Sequence, residues 1–504
     1  MIMWHFLNIM AETQVVEAPG RPTCLTGDGG RKMTASGEAT AMQAYDPEEF
    51  RRFGHAAVDL LADHLGQAQR GIGPVLPPRT PEAVLERWPA PTERQPLLET
   101  LRQALEQSNH LHHPRYLGHQ VSAPLPAAAL CDLVGSLLNN GTAVFEMGPV
   151  TSILERRLVE WMAGLIGYGP EAGGFFTSGG SAGNLTALLA AREAKAGVWE
   201  SGQTEPSCIL VNEHAHYSAK RAVQVMGWGA EGAIPVSTDT RFRLTRSGLE
   251  EARATARSLG RRVLAVVANA CSTATGTYDP LPVAADFCEQ HGLWLHVDGA
   301  HGASALLSRQ HRHLLEGLAR ADSVVWDAHK MMMMPALLTA VVFQRGSDSY
   351  SAFAQRASYL LAGEAREEWF NLAHRTLECT KTMMALRLYA CLRHHGVQVF
   401  EEFVDRTHAL TREFEELLRE APDFEPGHVP ESNILCFRHL PEGYLGDPDA
   451  LQARLRQALL DEGSFYIVQT RLPAGLHLRC TLMNPRTTRP DLVALLERLR
   501  QLAR

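Results

Sequence analysis

Between His113 and Leu377 short β-rich runs alternate with stretches of helical periodicity, and this alternation restricts the fold more than any other feature of the chain. The runs are CILV (Cys208 to Val211), VLAVVA (Val263 to Ala268), LWLHVD (Leu293 to Asp298), SVVW (Ser323 to Trp326) and AVVF (Ala340 to Phe343). Pro282 is placed to open a helix, and Gly292 to close it, between the second and third runs, which makes a strand–helix–strand unit. The pattern predicts an α/β domain whose mostly parallel sheet is covered on both faces. In such a sheet, ligands sit beyond the carboxyl ends of the strands.

The rest of the chain divides around this domain. A length of 504 residues allows about two or three domains. Residues 1–44 carry no sustained period and are expected to form a mobile extension; the opening MIMWHFLNIM lacks a basic flank and makes a poor signal peptide. A helix is expected to begin at Asp46-Pro47, with Phe50, Phe53, Ala57, Leu60 and Leu61 at helical spacing. This helix and the proline-rich PVLPPRTP make residues 45–112 an arm that packs on the body of the chain or on a second subunit, so a homodimer is expected. The large domain is read as residues 113–385. Residues 386–504 change to a long helix, a strand near Ile434 to Phe437, a helix from Asp447 to Glu462, strands near Phe465 to Thr470 and Leu476 to Leu482, and a last helix from Asp491. That is a small α+β domain.

A formal charge of −8 with scattered basic residues argues against nucleic acid or an anionic membrane as partner, and no stretch is apolar enough to span a bilayer. The nine cysteines form no C-x-x-C pair and lie mostly in apolar segments, as Cys208, Cys288 and Cys436 do. They read as buried free thiols in a reducing cytoplasm.

Two motifs suggest an aldehyde cofactor. In WDAHKMM, Lys330 follows a histidine just beyond an apolar run, and Asp298 of HVDGAHG lies 32 positions earlier. A lysine at a buried strand end can form a Schiff base, and a carboxylate on a neighbouring strand end can hold a pyridine nitrogen protonated. That pair is the minimal equipment for pyridoxal phosphate. FFTSGGSAGN (Phe175 to Asn184) reads as strand, Gly-Gly turn and helix start, and Gly180 with the Ser181 hydroxyl could bind phosphate oxygens there. A tight turn before a helix explains the same residues, but a cofactor phosphate needs such an anchor. In HAHYSAKRA (His214 to Ala222) the His-x-His spacing has no acidic or cysteine ligands around it, so no metal is assigned. An imidazole laid on a cofactor ring, or a histidine satisfied in a loop, remain the two readings.

With these motifs the chain resembles the group II pyridoxal-phosphate-dependent amino-acid decarboxylases, which act on glutamate, cysteine sulfinate, aromatic amino acids or diaminobutyrate. The match runs in order through HPRYLGH (His113 to His119), FEMGPV (Phe145 to Val150), the glycine turn, HAHYSAKRA, HVDGAHG, WDAHKMM and LHLRCTLMNP (Leu476 to Pro485). The resemblance implies a fold type I, aspartate-aminotransferase-like large domain with pyridoxal 5′-phosphate on Lys330, Asp298 on the pyridine nitrogen and His216 over the ring. It implies Ala300 on the opposite ring face, and Gly180, Ser181 and His329 in the phosphate region. It further implies that Tyr359, in ASYLL and 29 positions after Lys330, rides a catalytic loop, and that Arg479 meets a substrate carboxylate. The activity implied is α-decarboxylation in amino-acid and carboxylic-acid metabolism, releasing CO₂ and an amine.

Departures from the family pattern bear on substrate. Gly118-His119 stands where glutamate and cysteine sulfinate decarboxylases usually have Asn-Gln; the diaminobutyrate enzymes have histidine there, whereas FEMGPV and Tyr359 point back to glutamate. Asn269 replaces a more usual threonine and can still hydrogen-bond near the ring. A small acidic substrate (glutamate, aspartate or cysteine sulfinate) is expected. The alternatives are diaminobutyrate or an aromatic amino acid, an oxidative deaminase or aldehyde synthase using the same cofactor, and a non-catalytic scaffold, which the presence of Lys330, Asp298 and His216 disfavours.

Overall fold

A computed structural model describes residues 42–77, 80–353 and 368–504. Most of the extension expected over 1–44 lies outside the described residues. By internal contacts the chain forms two units, Met1–Asp59 and Leu60–Arg504. In the first, the helix Pro47–Gln69 begins where the Asp-Pro pair places it, and Asp46 Oδ1 accepts from the Glu48 amide at 2.9 Å.

The second unit holds two sheets. The larger has seven strands: β1 (Gly173–Thr177), β2 (Ser207–Asn212), β3 (Ala233–Val236), β4 (Arg262–Asn269), β5 (Trp294–Asp298), β6 (Ser323–Asp327) and β7 (Thr339–Phe343). Their order is β1-β7-β6-β5-β4-β2-β3, and only β7 runs antiparallel to its neighbours. All five β-rich runs of the sequence are strands here. β3 was not expected; it is an edge strand containing Pro235, which breaks the β-pattern but costs no ladder bond where one side is unpaired. The helix between β4 and β5 is Leu281–His291, closed by Gly292 at φ +64°.

Period-two alternation sorts these strands onto two apolar cores. Val324 and Trp326 of β6 face one core with Val297 and Val266, while Val325 faces the other with Val267, Val341 and the helix Gly180–Ala196. The same alternation puts the last residues of three adjacent parallel strands on the second face: Asn269, Asp298 and Asp327. In register, Asn269 lies opposite Asp298. Three polar side chains thus stand at the carboxyl ends of a buried sheet, beneath one helix.

The smaller sheet is antiparallel, with order β10-β11-β9-β8: β8 (Phe424–Pro426), β9 (Ile434–His439), β10 (Val468–Leu472) and β11 (Gly475–Thr481). It shares a third core with the helices Gln398–Glu420, Pro448–Glu462 and Arg489–Ala503. The single long helix expected after residue 385 is two helices, Met384–His395 and Gln398–Glu420, because Gly396 adopts φ +77° between them. Among the described residues no helix is long and apolar enough to cross a membrane, and Cys208, Cys288 and Cys436 are free and buried.

Candidate active site

The carboxyl ends of β4, β5 and β6 open into a cavity of about 260 Å³. Its walls include Gly180, Ser181, His216, Asn269, Asp298, Ala300, His329 and Lys330, every residue that the sequence assigns to the cofactor. Ser178, Asn184, Cys271, Thr273, His301, Asp327 and Leu337 complete them, with Gly179.

At one end the chain leaves β1, turns through Gly179 at φ +115°, and enters the helix Gly180–Ala196. That left-handed backbone favours glycine. A Cβ on Gly180 would lie 3.2 Å and 3.3 Å from the two carboxylate oxygens of Asp327, so the helix start and this carboxylate crowd each other. The first amides of a helix have no partner inside it and attract anions.

Lys330 follows β6 by one turn. Its Nζ lies 3.0 Å from Asp327 Oδ2. Burial opposes the ammonium charge, but Asp327 and Asp298 outweigh it and hold the lysine above its ordinary range. His329 Nε2 lies 3.6 Å from the same oxygen, and Thr339 Oγ1 donates to Asp327 Oδ1 at 2.6 Å.

Asp298 is held by a directed network. Trp294 Nε1–H donates to Ser323 Oγ at 2.9 Å, so the Ser323 hydroxyl is free to donate to His296 Nδ1, also at 2.9 Å. His296 therefore carries its proton on Nε2 and donates to Asn184 Oδ1 at 2.9 Å. The Asn184 amide then points both hydrogens outward, to Asp298 Oδ2 at 2.9 Å and to Ser218 Oγ at 2.8 Å. Ser218 Oγ in turn lies 2.8 Å from His216 Nδ1, which also receives the Ser218 amide at 3.3 Å. Burial pushes the His296 imidazole down to about 4 and lowers that of His216 against the pull of Asp298, which favours the neutral rings that these tautomers need.

Asn184 is thus one hub that orients the Asp298 carboxylate and the His216 ring. Asn184→Leu, close in volume, should strand His296 Nε2–H and free Asp298 to rotate. Each buried group left unpaired costs about 1–3 kcal/mol, so the urea midpoint of the cofactor-free chain should fall measurably. An unchanged midpoint would mean that water replaces the amide without loss.

Arg479, on β11, is 7% exposed. Its Nη1 donates to the backbone oxygen of Thr273 at 2.8 Å, which brings it to the cavity wall, and its Nε is buried without a partner among the described residues. No carboxylate among the described residues pairs with it. His119 is exposed and does not line the cavity; its ring centroid is 5.5 Å from that of Tyr466. The part of its ring that is covered loses solvation, which lowers its pKa, and so do Arg479 and Arg456 nearby. Gly118 is needed here because a Cβ would strike the Tyr466 ring at 2.3 Å. Tyr359 lies outside the described residues. The sequence reasoning passed over Asn184 and Asp327. Asp327 had a signal in its i, i+3 spacing to Lys330, but Asn184 is recognisable only once the sheet and helix are stacked.

These residues fit pyridoxal phosphate. Asn269 Nδ2 is buried beside Asp298 with no hydrogen-bond partner among the described residues, as a donor kept for a bound ligand would be. The lysine, the strand-end carboxylate and the glycine turn sit on one cavity, matched to an aldehyde, a pyridine nitrogen and a phosphate.

Comparison with known proteins agrees. The pyridoxal-dependent decarboxylase conserved domain matches residues 83–440. The acidic amino acid decarboxylase GADL1 of Homo sapiens is 30% identical over 422 residues, covering 80% of this chain and 80% of that protein. An aromatic-L-amino-acid decarboxylase of Bacillus atrophaeus is 28% identical over 467 residues, covering 90% of this chain and 96% of its own. Mouse cysteine sulfinic acid decarboxylase (CSAD) superposes with a TM-score of 0.85 at 26% identity, covering 91% of this chain and 99% of its own. The lysine, carboxylates and glycine turn at the strand ends, together with a family match over most of the chain, make this protein a member of the pyridoxal-dependent decarboxylase family, an amino-acid carboxy-lyase that uses pyridoxal phosphate.

Proposed function

We propose that the substrate is a small acidic L-amino acid: glutamate, aspartate or cysteine sulfinate. The observation that carries this reading is Arg479, a buried guanidinium beside the cavity whose only hydrogen-bond acceptor among the described residues is a backbone carbonyl. A buried cation without a counter-ion is costly, and a substrate carboxylate would satisfy it through paired hydrogen bonds. Arg456 close to His119 adds to a positive surround that disfavours the cationic side chain of diaminobutyrate. Relatives named for acidic, cysteine sulfinic and aromatic substrates leave all three classes open, and the arginine supports the acidic reading. Arg479→Lys keeps the charge but loses the planar fork, so kcat/KM on the acidic substrate should fall about 10²-fold. Unchanged kinetics would remove Arg479 from the substrate site.

In this account Lys330 would hold the cofactor, Asp298 would stand by its pyridine nitrogen and favour the protonated form, and His216 and Ala300 would line its ring. Arg479 would bind and orient the substrate through a carboxylate. The bound cofactor supplies the electron sink for the pair left when CO₂ departs. His216, with Nε2–H outward by the hydrogen-bond argument above, and Tyr359 are the two groups that can return a proton to Cα, and Tyr359 is proposed as the donor. Tyr359→Phe should then raise the aldehyde formed per CO₂ released in air. An unchanged amine yield would pass the role to His216.

Residues 45–112 are proposed as an arm in a homodimer, 113–385 as the cofactor-binding domain and 386–504 as the small domain. The helix Pro126–Leu138 leaves Leu130, Leu133, Val134 and Leu137 at 47–67% exposure on one face, a stripe that a second copy would cover. Free thiols fit a reducing compartment such as the cytoplasm.

A further inference from the structure

β1 is an edge strand of the large sheet, bonded to β7 on one side, so the backbone groups on its other side must find partners elsewhere. At Phe176 those partners are the two halves of one buried ion pair. The Phe176 amide donates to Glu155 Oε1 at 2.8 Å, and its carbonyl accepts from Lys381 Nζ at 2.6 Å. Lys381 Nζ also donates to that same Oε1, at 2.7 Å, which closes the triangle. Glu155, on the helix Pro149–Ile166, is 1% exposed and Lys381 is 7% exposed. The lysine is itself held, because its amide donates to Thr142 Oγ1 at 3.1 Å and its carbonyl accepts from the Thr142 amide at 3.2 Å.

A buried ion pair is a poor source of stability, since taking two charges out of water costs about as much as their attraction returns. What this pair supplies is direction. Two charge-assisted bonds fix the amide and the carbonyl of a single residue, and the glycine turn follows it after only Thr177 and Ser178. Ser178 Oγ donates to Glu378 Oε1 at 2.7 Å, so the segment that carries Lys381 grips the chain again just before Gly179 and the start of the helix Gly180–Ala196. A strand displaced at Phe176 would carry the turn with it.

We propose that Glu155 and Lys381 are positioning residues for the cofactor phosphate: they fix β1 at Phe176, so that the amides of the glycine turn stand in place before the anion arrives. Neither residue lines the cavity, and their effect is transmitted through the strand. The inference rests on the glycine turn as the phosphate anchor.

The test titrates stripped full-length protein with pyridoxal phosphate and with pyridoxal, which has the same ring and aldehyde but no phosphate. The ratio of the two affinities isolates the phosphate. The double variant Glu155→Leu, Lys381→Met removes the pair without leaving a lone buried charge. It should lower the ratio about tenfold, roughly the worth of one charge-assisted hydrogen bond, with pyridoxal affinity kept within about twofold. An unchanged ratio overturns the proposal, and so does an equal loss for both ligands, which is what a general loss of stability would give. Should the variant not fold, hydrogen exchange resolved to single residues decides on the wild type. The Phe176 amide should be as protected in the stripped protein as in the loaded one; protection gained only on loading would mean that the phosphate orders the strand, and would overturn the proposal. A wild type that binds pyridoxal as tightly as pyridoxal phosphate would locate the failure in the anchor itself, and the inference would fall with it.

Discussion

Lys330→Ala should abolish covalent attachment of pyridoxal phosphate and lower decarboxylation by more than about 10³-fold, because the nitrogen proposed to hold the cofactor would be gone. Lys330 lies one turn beyond the end of β6, with Asp327 and Asp298 both acting to keep its ammonium charged. The other described lysines sit elsewhere; Lys381, for instance, is buried in a pair with Glu155 at 2.7 Å. Reduction of the loaded protein with borohydride, followed by peptide mapping, should place the cofactor on Lys330. Finding it on a different residue would contradict the site assignment, as would a Lys330→Ala variant that keeps the visible band.

Asp298→Asn should retain the cofactor but decarboxylate about 10²–10³-fold more slowly, the usual cost of removing one preorganised electrostatic partner. The carboxylate now accepts from Asn184 Nδ2 and from the Ala300 amide at 3.2 Å. A substituted amide could keep one of these contacts but offers no charge to stabilise a protonated pyridine nitrogen. The comparison is steady-state kcat with the absorbance of the loaded protein measured on the same sample. Activity within about tenfold of wild type, with the cofactor bound, would show that another group holds the ring nitrogen.

Much of this site is legible in the sequence because its chemistry lies at strand ends. LWLHVD and SVVW can be read as buried strands from their apolar runs alone, and the polar residue that ends such a run must fall at the sheet's carboxyl edge. Asp298 follows from that rule and so would Asp327, which was passed over, while Lys330 is marked by the histidine-lysine pair just beyond SVVW and Gly180 by the Gly-Gly turn after the aromatic pair. What could not be read depends on contacts between distant segments. The chain from Trp294 through Ser323, His296 and Asn184 to Asp298 joins two strands and a helix, and no local pattern marks Asn184 as its hub. The four methionines at 331–334 look like low complexity in the sequence, but in the structure all are buried in the core shared with Val324 and Trp326. The proline of β3 and the positive φ of Gly396 changed element boundaries for backbone reasons, without moving the site.

The claim that most needs a direct test is that an acidic amino acid loses its α-carboxylate here. Carboxyl-labelled glutamate, aspartate, cysteine sulfinate, diaminobutyrate and aromatic amino acids would each be incubated with the loaded protein, and released CO₂ and amine quantified together. The account predicts equal amounts of CO₂ and amine from at least one of the three acidic substrates. Turnover confined to diaminobutyrate or to aromatic amino acids would contradict the role given to Arg479, and CO₂ accompanied by aldehyde in place of amine would contradict the reaction itself.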